Sequence, residues 1–151
     1  MITATQPDFE RLAPTGPDYA TRPIADAFDW SAVARPTDEG EWYLVVFRSL
    51  RKASAPEDLL TWYDDRAHEE AAASDGFVHY FKGPLTADRE CLSFCLWSSR
   101  AAAREASGKP AHREAVLLIE ASYDRYTLEF CRVRKALGET TFSIEPYDRV
   151  I

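Results

Sequence analysis

The sequence predicts an α+β domain with a ferredoxin-like arrangement, built on an antiparallel sheet. Its 151 residues are the length of one ordinary domain. Segments rich in aromatic and β-branched residues alternate with helical segments in the order strand, helix, strand, strand, helix, strand, which is the split βαβ arrangement. Two near-identical pentapeptides, AHEEA at 67–71 and AHREA at 111–115, fall in the two helical regions. A chain built from two similar halves would place them there.

The first half of the domain begins with a strand and a helix. EWYLVVFRSL at 41–50 is dense in aromatic and β-branched residues, which predicts a strand. A helix is predicted over 54–74, with Ser54 as its cap. Its packing face repeats every three or four residues, at Leu60, Tyr63, Ala67, Ala71 and Ser74. The Asp-Gly pair at 75–76 ends the helix.

A second strand completes the first half, and the second half repeats the pattern of strand, helix and strand. FVHYF at 77–81 and CLSFCLW at 91–97 are two strands joined by a short, turn-rich link, which predicts an antiparallel hairpin. Helical stretches at 98–106, opened by a serine cap, and at 111–122 are separated by the sequence SGKP. RYTLEFCRVR at 125–134 alternates well enough to predict a fourth strand.

The chain divides into three predicted parts. Residues 1–40 hold five of the nine prolines and follow no clean period, yet they also carry many apolar side chains. Burial of such side chains repays the entropy of ordering, so we predict an N-terminal arm that packs on the domain or on a partner. The α+β domain covers 41–137. Residues 138–151 form a C-terminal tail, with a short strand around Phe142–Ile144.

Both faces of the predicted sheet carry apolar side chains. In the second strand, Phe77, His79 and Phe81 are expected to oppose Val78 and Tyr80. In the third strand, one face carries Leu92, Phe94 and Leu96. With both helices on one face, the other needs cover, so we expect a homodimer in which a second copy lays its sheet on this face by a twofold contact. The alternative is a monomer in which the N-terminal arm covers it.

Composition and charge exclude several classes of protein. A net charge of −7 and a pI of about 5.0 argue against nucleic-acid binding. No apolar run approaches the roughly 18 residues of a membrane span. The first residues lack the basic and apolar regions of a secretory signal. Cys91, Cys95 and Cys131 have no disulfide-framework spacing, which predicts a reducing, cytoplasmic location.

The phrases LLTWYDDRAHEE…GFVHY and CLWSSRAAA…KPAHREA resemble the dimeric α+β barrel superfamily, which includes antibiotic-biosynthesis-monooxygenase-like and EthD-like proteins. More closely, WYLVVFRSLR, AHEEA, YFKG and CLSFCLW are similar to a protein family of unknown function, over roughly residues 28–134. The resemblance implies the barrel-type dimer. Through the EthD-like proteins it also implies that His68 is a pocket residue.

Two histidines are the predicted catalytic residues. His68 lies at the edge of the packing face of its helix, from where it could reach a pocket between helix and sheet; alternatively it pairs in solvent with Asp64 or Asp65. His112 lies closer to an apolar face, where it could move protons around pH 7 or bond a backbone carbonyl in the core. Glu70 is either a base with a raised pKa or the partner of an arginine.

Four further residues are predicted to bind substrate. Trp97, Tyr63 and Tyr80 could line the pocket of a flat aromatic ligand, or belong to the core. Arg48 could orient an anionic substrate, or pair with Glu129. His79, flanked by aromatic residues, is expected to be a packed strand residue or a dimer contact.

No metal and no cofactor are predicted. Zinc or iron held by the histidines and nearby acids is the rival interpretation, but the chain has no HExxH, no CxxC and no local ligand cluster. Distant members of the superfamily bind haem, and the spacing of Trp97 and His112 does not match such a site.

These observations predict a cofactor-independent enzyme, of monooxygenase, isomerase or dehydratase type. It would act by proton transfer on a small aromatic or polyketide-like molecule. The alternative is a non-catalytic small-molecule-binding or structural homodimer. A cavity between helices and sheet, touched by both histidines, would favour the enzyme, and solvent-facing histidines would favour the alternative.

Overall fold

Residues 4–147 are described by a computed structural model, which contains one five-stranded sheet. The strands are β1 Gly40–Arg51, β2 Phe77–Phe81, β3 Glu90–Trp97, β4 Tyr123–Lys135 and β5 Ser143–Pro146. They lie in the order β2-β3-β1-β4-β5, and every neighbouring pair is antiparallel. The predicted ferredoxin-like α+β fold is confirmed, and the short strand predicted in the tail is β5, added beside β4.

Short helices and one long helix connect the strands. The α-helices are α1 Ile24–Ala27, α2 Glu57–Ala72, α3 Arg100–Ser107, α4 Pro110–Val116 and α5 Ile119–Ser122. Single turns of 3-10 helix occur in the arm at Phe9–Arg11, Tyr19–Thr21 and Trp30–Val33. The predicted break at SGKP separates α3 from α4, because Pro110 opens a new helix at a position where its missing N–H costs nothing.

The two serine caps predicted from the sequence have different outcomes. Ser99 precedes α3, and its hydroxyl accepts a hydrogen bond from the Ala102 N–H at 3.1 Å, so the cap predicted there is confirmed. The prediction of Ser54 as a cap is wrong. Helix α2 begins three residues later, after Pro56, and makes no side-chain cap. Acidic residues in its first turn favour the start instead, since they complement the positive end of the helix dipole.

One strand does not follow the predicted alternation. The register of β2 against β3 shifts between Phe77 and His79, which leaves Val78 as an extra residue in a β-bulge. Phe77 therefore packs with Tyr80 on the helix side, whereas Val78 packs on the other face. The predicted grouping of Phe77 with His79 is wrong for this reason. In β3 the predicted face of Leu92, Phe94 and Leu96 is confirmed.

The N-terminal arm fills the sheet face opposite the helices. Its buried apolar residues are Phe9, Leu12, Tyr19, Ala20, Ile24, Ala27, Phe28, Trp30 and Val33. The ring of Phe28 lies 4.9 Å from that of Phe81 and 5.1 Å from that of Phe94, and both contacts are nearly perpendicular. These edge-to-face contacts are the preferred geometry for buried aromatic pairs.

Polar contacts fasten the arm at its middle and join its two ends. The Arg48 guanidinium donates to the Ala20 carbonyl, midway along the arm, at 2.9 Å. The fully buried carboxylate of Asp38 accepts from the Thr5 hydroxyl at 2.6 Å and from the Arg35 guanidinium at 2.9 Å. Asp38 stays charged in this setting, since these donors hold its pKa below the usual range despite its burial.

The packed arm corrects the predicted surface of the dimer. A face-to-face dimer requires a bare sheet face, but in residues 4–147 the arm already covers it. A second copy could lie on this face only by displacing a packed apolar layer. The homodimer itself stays a prediction, and it needs another surface.

The remaining features concern membrane spans and cysteines. Within residues 4–147, no helix combines the length and the apolar character that crossing a bilayer requires. Cys91, Cys95 and Cys131 are free thiols, in line with the absence of a predicted disulfide framework.

Candidate functional site

A cavity of about 600 Å³ lies between the helices and the sheet. Strands β1, β3 and β4 supply every second residue to it, because side chains alternate between the two faces. The rings that line it are Tyr43, Phe47, Tyr63, Tyr80, Trp97, Tyr123, Tyr126 and Phe130. The volume is within the range of sites that bury a drug-sized ligand, roughly 300–1,000 Å³.

Five of the six predicted site residues line this cavity: His68, His112, Trp97, Tyr63 and Tyr80. Arg48 does not line it. Its side chain points to the arm side of the sheet, where it forms an ion pair with Glu129 and bonds the arm. The pairing with Glu129 is the alternative that the sequence left open.

His68 stands at the opening of the cavity, since it is an exposed residue that also contributes to the lining. Its ring centroid lies 4.6 Å from that of Tyr80, with the planes inclined by 35°, and 6.2 Å from that of Phe77. Asp65, one of its predicted ion-pair partners, instead lies 3.5 Å from the Lys82 ammonium. The histidine is therefore held against aromatic rings rather than by an ion pair with Asp65.

His112 contributes a partly buried ring to the same cavity. Burial lowers its pKa. A hydrogen bond with the Ser107 backbone and the negative charge of the Glu70 carboxylate partly offset this effect. The side-chain Nδ1 is buried and has no hydrogen-bond partner among the described residues. Buried polar atoms are normally paired, so this nitrogen is available to a polar group of a ligand.

Glu70 joins the two repeated pentapeptides. Its carboxylate oxygens accept hydrogen bonds from the Ala111 N–H at 3.1 Å and from the His112 N–H at 3.2 Å. AHEEA in α2 thus caps the start of AHREA in α4. A capping carboxylate satisfies N–H groups that have no partner inside the helix. Neither interpretation of Glu70 from the sequence, as a free base or as the partner of an arginine, describes this role.

Asp64 is the site residue that sequence reasoning missed as a chemical group. It lines the cavity one helical turn before His68. Burial is the largest influence on this carboxyl group and raises its pKa, against the partial opposition of Lys82, Arg51 and His68. A carboxylate with a raised pKa is a stronger base and a better proton carrier near neutral pH.

A signal for Asp64 was present in the helical spacing. Leu60, Tyr63, Ala67 and Ala71 form the predicted packing face of α2. Asp64 falls four residues after the first of these, which places it within that face. A charged residue inside an otherwise apolar helical face is the kind of exception that marks a functional site.

The buried phenols and thiols of the cavity are neutral at pH 7. Burial raises the pKa of the phenols of Tyr80, Tyr123 and Tyr126. It also raises the pKa of the Cys91 thiol, and that of the Cys95 thiol to about 12. These groups can donate hydrogen bonds to an anion, but they do not compete with Asp64 as bases.

Trp97 and His79 have structural contacts, and no metal-ligand group is found among the described residues. Trp97 donates its indole N–H to the Cys95 sulfur at 3.1 Å and forms part of the cavity floor. His79 lies on the arm side, with its ring 5.8 Å from that of Phe94, so the prediction of a packed strand residue is confirmed. Within residues 4–147, no three His, Cys, Asp or Glu side chains are grouped to hold a metal ion.

The fold is shared by solved structures of low sequence identity. The cofactor-independent oxygenase SnoaB of Streptomyces nogalater superposes with a TM-score of 0.52 at 19% identity, over 66% of this chain and 99% of the oxygenase. Rv0793 of Mycobacterium tuberculosis gives 0.52 at 20% identity, over 59% and 91%. An antibiotic biosynthesis monooxygenase gives 0.50 at 18% identity, over 58% and 94%.

These likenesses show the fold: it is an α+β fold that the chain shares with structures that include a cofactor-independent oxygenase and an antibiotic biosynthesis monooxygenase. The chain itself belongs to the PB2B2.08-like family, whose profile matches residues 4–146. Both resemblances found in the sequence are thereby confirmed. The family profile includes the N-terminal arm, so the arm is part of what the family shares. No curated protein matches the chain.

Proposed function

We propose that the protein is a cofactor-independent enzyme that removes a proton from a flat aromatic molecule bound in the cavity. Asp64 is the base, and His68 stands beside it at the opening. The observation that carries this proposal is the Asp64 carboxyl group, which lines an aromatic cavity and has a pKa raised by burial. Such a group costs folding stability, and sites of this kind are characteristic of proton-transfer chemistry.

The cavity suits a ligand with several fused rings. Its walls are rings and small apolar side chains, which favour a planar apolar body. Several of its polar groups differ in kind: a base at Asp64, neutral phenols at Tyr80 and Tyr126, and an unpaired nitrogen at His112. A ring system carrying a ketone and hydroxyl groups would engage all of them.

An anthrone illustrates the reaction. The ring ketone acidifies the methylene C–H on the opposite carbon, and the Asp64 carboxylate takes that proton. The electron pair stays on the ring system as an enolate, which the phenol O–H groups stabilise. In the oxygenase branch, this carbon forms a bond to O2, and Asp64 returns its proton to the peroxide. The same carbon then loses its remaining proton, the O–O bond breaks, and the outer OH group leaves with that proton as water. Overall, anthrone and O2 give quinone and water.

The comparison with SnoaB supports the oxygenase branch, because that protein is a cofactor-independent oxygenase with the same fold. Isomerase and dehydratase types of reaction share the first proton transfer and differ in the later fate of the enolate. We also propose that the active form is a homodimer. The two copies must associate through a surface other than the sheet face that the arm covers.

Aerobic turnover of 1,8-dihydroxyanthrone tests the proposal. Wild-type protein is expected to accelerate quinone formation, followed by absorbance. The rate of the Asp64→Asn variant should be lower by about a hundredfold or more, as expected for removal of a general base. The variant should still bind the anthrone, as measured by quenching of protein fluorescence.

Asp65→Asn is the matched control. It changes the same side chain one residue away, at an exposed position paired with Lys82, and should keep the wild-type rate. Binding of the anthrone without any acceleration by the wild type would instead support a non-catalytic binding protein. Equal rates for the wild type and Asp64→Asn would rule out Asp64 as the base.

A further inference from the structure

The outer edge of β4 is only partly covered. This strand runs over 13 residues, but β5 pairs with its last part alone, from Cys131 to Arg134. At the boundary, the Phe130 carbonyl accepts a hydrogen bond from the Tyr147 N–H at 3.0 Å. Among residues 4–147, no strand pairs with the outer edge of residues 124–129. An open edge of this length is a template for another strand.

Apolar side chains accompany this open edge. Leu128 and Phe130 are each 45% exposed, on the helix side of the sheet where the cavity lies. Most of the large apolar residues of the sheet are buried under the helices or the arm, so this exposure is local to β4. Exposed apolar residues next to unpaired backbone groups mark a surface for association.

We propose that β4 of a second copy pairs antiparallel with this edge about a twofold axis at Thr127, which joins two sheets into one. The pairing uses residues 125–129, which lie within the open stretch and are centred on Thr127. Because the Phe130 carbonyl points outward, the backbone groups of Leu128 and Tyr126 point outward as well. In this register, Tyr126 exchanges two backbone hydrogen bonds with Leu128 of the partner subunit, and the symmetric pair does the same.

Charge selects this register over its neighbours. It places Arg125 opposite Glu129 of the partner subunit, twice across the axis. A shift by two residues in either direction would put Arg125 opposite threonine or cysteine instead. Glu129 already pairs with Arg48 and keeps 40% of its side chain exposed, so it can accept a second guanidinium. Opposite charges in directly facing positions stabilise a strand pair, and like charges destabilise it.

The second copy would contribute to the site. Tyr126, Leu128 and Phe130 line the cavity. In the joined sheet, Leu128 of the partner subunit lies beside Tyr126 on the same face, so each copy extends the cavity wall of the other. This assembly leaves the arm in place on the opposite face, and the tests of its register do not depend on the proposed proton transfer.

Disulfide trapping tests the register directly. Thr127 would face its own copy in a non-hydrogen-bonded pair, with Cα atoms about 4.5 Å apart, which suits a disulfide. Thr127→Cys in the full chain should therefore form a covalent dimer under mild oxidation. Arg125→Cys is the control on the same edge and face, and it should stay reduced because its nearest copy lies several residues away.

A charge exchange tests the same contact without cysteines. Arg125→Glu alone and Glu129→Arg alone each place like charges across the axis, and each should weaken the dimer by about tenfold or more in sedimentation velocity. An equal mixture of the two variants restores both ion pairs and should form a heterodimer, resolved by native mass spectrometry. Circular dichroism of each variant establishes that the fold is intact.

Three results would overturn the proposal. The wild-type chain could remain a monomer at high concentration, with Thr127→Cys reduced, which would mean that another part of the same chain covers the edge. Arg125→Cys could cross-link as readily as Thr127→Cys. The mixture of charge variants could fail to associate more strongly than either variant alone.

Discussion

Asp64 and Asp65 are adjacent in sequence and differ in every property that matters for chemistry. Asp64 faces the cavity, and burial raises its pKa. Asp65 is exposed and lies beside Lys82. The difference follows from the rotation of about 100° per residue along helix α2, which turns one carboxylate toward the sheet and the next toward solvent. The pair therefore provides its own control for every experiment on the site.

Because the pKa of Asp64 is raised, replacing its carboxyl group should increase the stability of the fold, by an amount that depends on pH. A carboxyl whose folded pKa lies above its unfolded value stabilises the fold fully only below the unfolded pKa, about 3.9, and this contribution is lost as pH rises through the folded pKa. Asp64→Asn should therefore melt at a higher temperature than the wild type at pH 7, with the difference shrinking toward pH 4.

Thermal unfolding of the wild type, Asp64→Asn and Asp65→Asn between pH 4 and pH 8 would measure this effect. Asp65→Asn should follow the wild-type curve, apart from the small loss of one exposed ion pair. A wild type that is more stable than Asp64→Asn at neutral pH would mean that the Asp64 carboxylate is well solvated or paired, so that its pKa is not raised by burial.

At the level of single residues, the sequence pointed to five residues that line the cavity but did not single out Asp64. Histidines and aromatic residues stand out by type, and helical spacing placed His68 and Tyr63 near the same surface. Asp64 and Glu70 look alike in sequence, as acids near one helical face. Only packing separates them, because the Glu70 carboxylate accepts hydrogen bonds from the first residues of α4, while Asp64 faces the cavity, where burial raises its pKa.

At the level of elements, strand order and helix positions were predictable because hydrophobic periodicity is a local property of the chain. The bulge in β2 was not, since Phe77, Val78 and His79 all fit a half-buried strand and alternation gives no sign of one extra residue. The arm was predicted to pack, but only the alternative of a monomer placed it on the bare sheet face, where it lies. Its prolines and single helical turns follow no period from which a contact surface could be inferred.

The arm should behave as part of the core rather than as an appendage. Phe28 is 2% exposed and contacts rings of β2 and β3, so Phe28→Ala should lower the free energy of unfolding by about 3–5 kcal/mol in urea denaturation. Leu117→Ala, at a position 80% exposed, should change it by less than about 0.5 kcal/mol. Equal effects of the two substitutions would contradict the packed arm.

At the scale of the whole molecule, the two sheet faces have separate roles. The arm closes one face with a continuous apolar layer, and the helices hold a cavity over the other. The fold is shared with SnoaB over 66% of this chain, and the family profile covers residues 4–146, which include the arm. Because the arm occupies the face first expected to dimerise, the contact proposed for a second copy lies at the open edge of β4 instead.

Proton abstraction in the cavity is tested most directly by hydrogen exchange without oxygen. In D2O under anaerobic conditions, the wild-type protein should accelerate deuterium incorporation at the methylene carbon of 1,8-dihydroxyanthrone, followed by NMR. This step precedes every reaction type considered, so its outcome does not depend on the later fate of the enolate. With Asp64 as the base, exchange should run well above the uncatalysed rate for the wild type and Asp65→Asn, and near the uncatalysed rate for Asp64→Asn. Exchange that is equal in all three proteins, or no faster than in buffer alone, would contradict this role of Asp64.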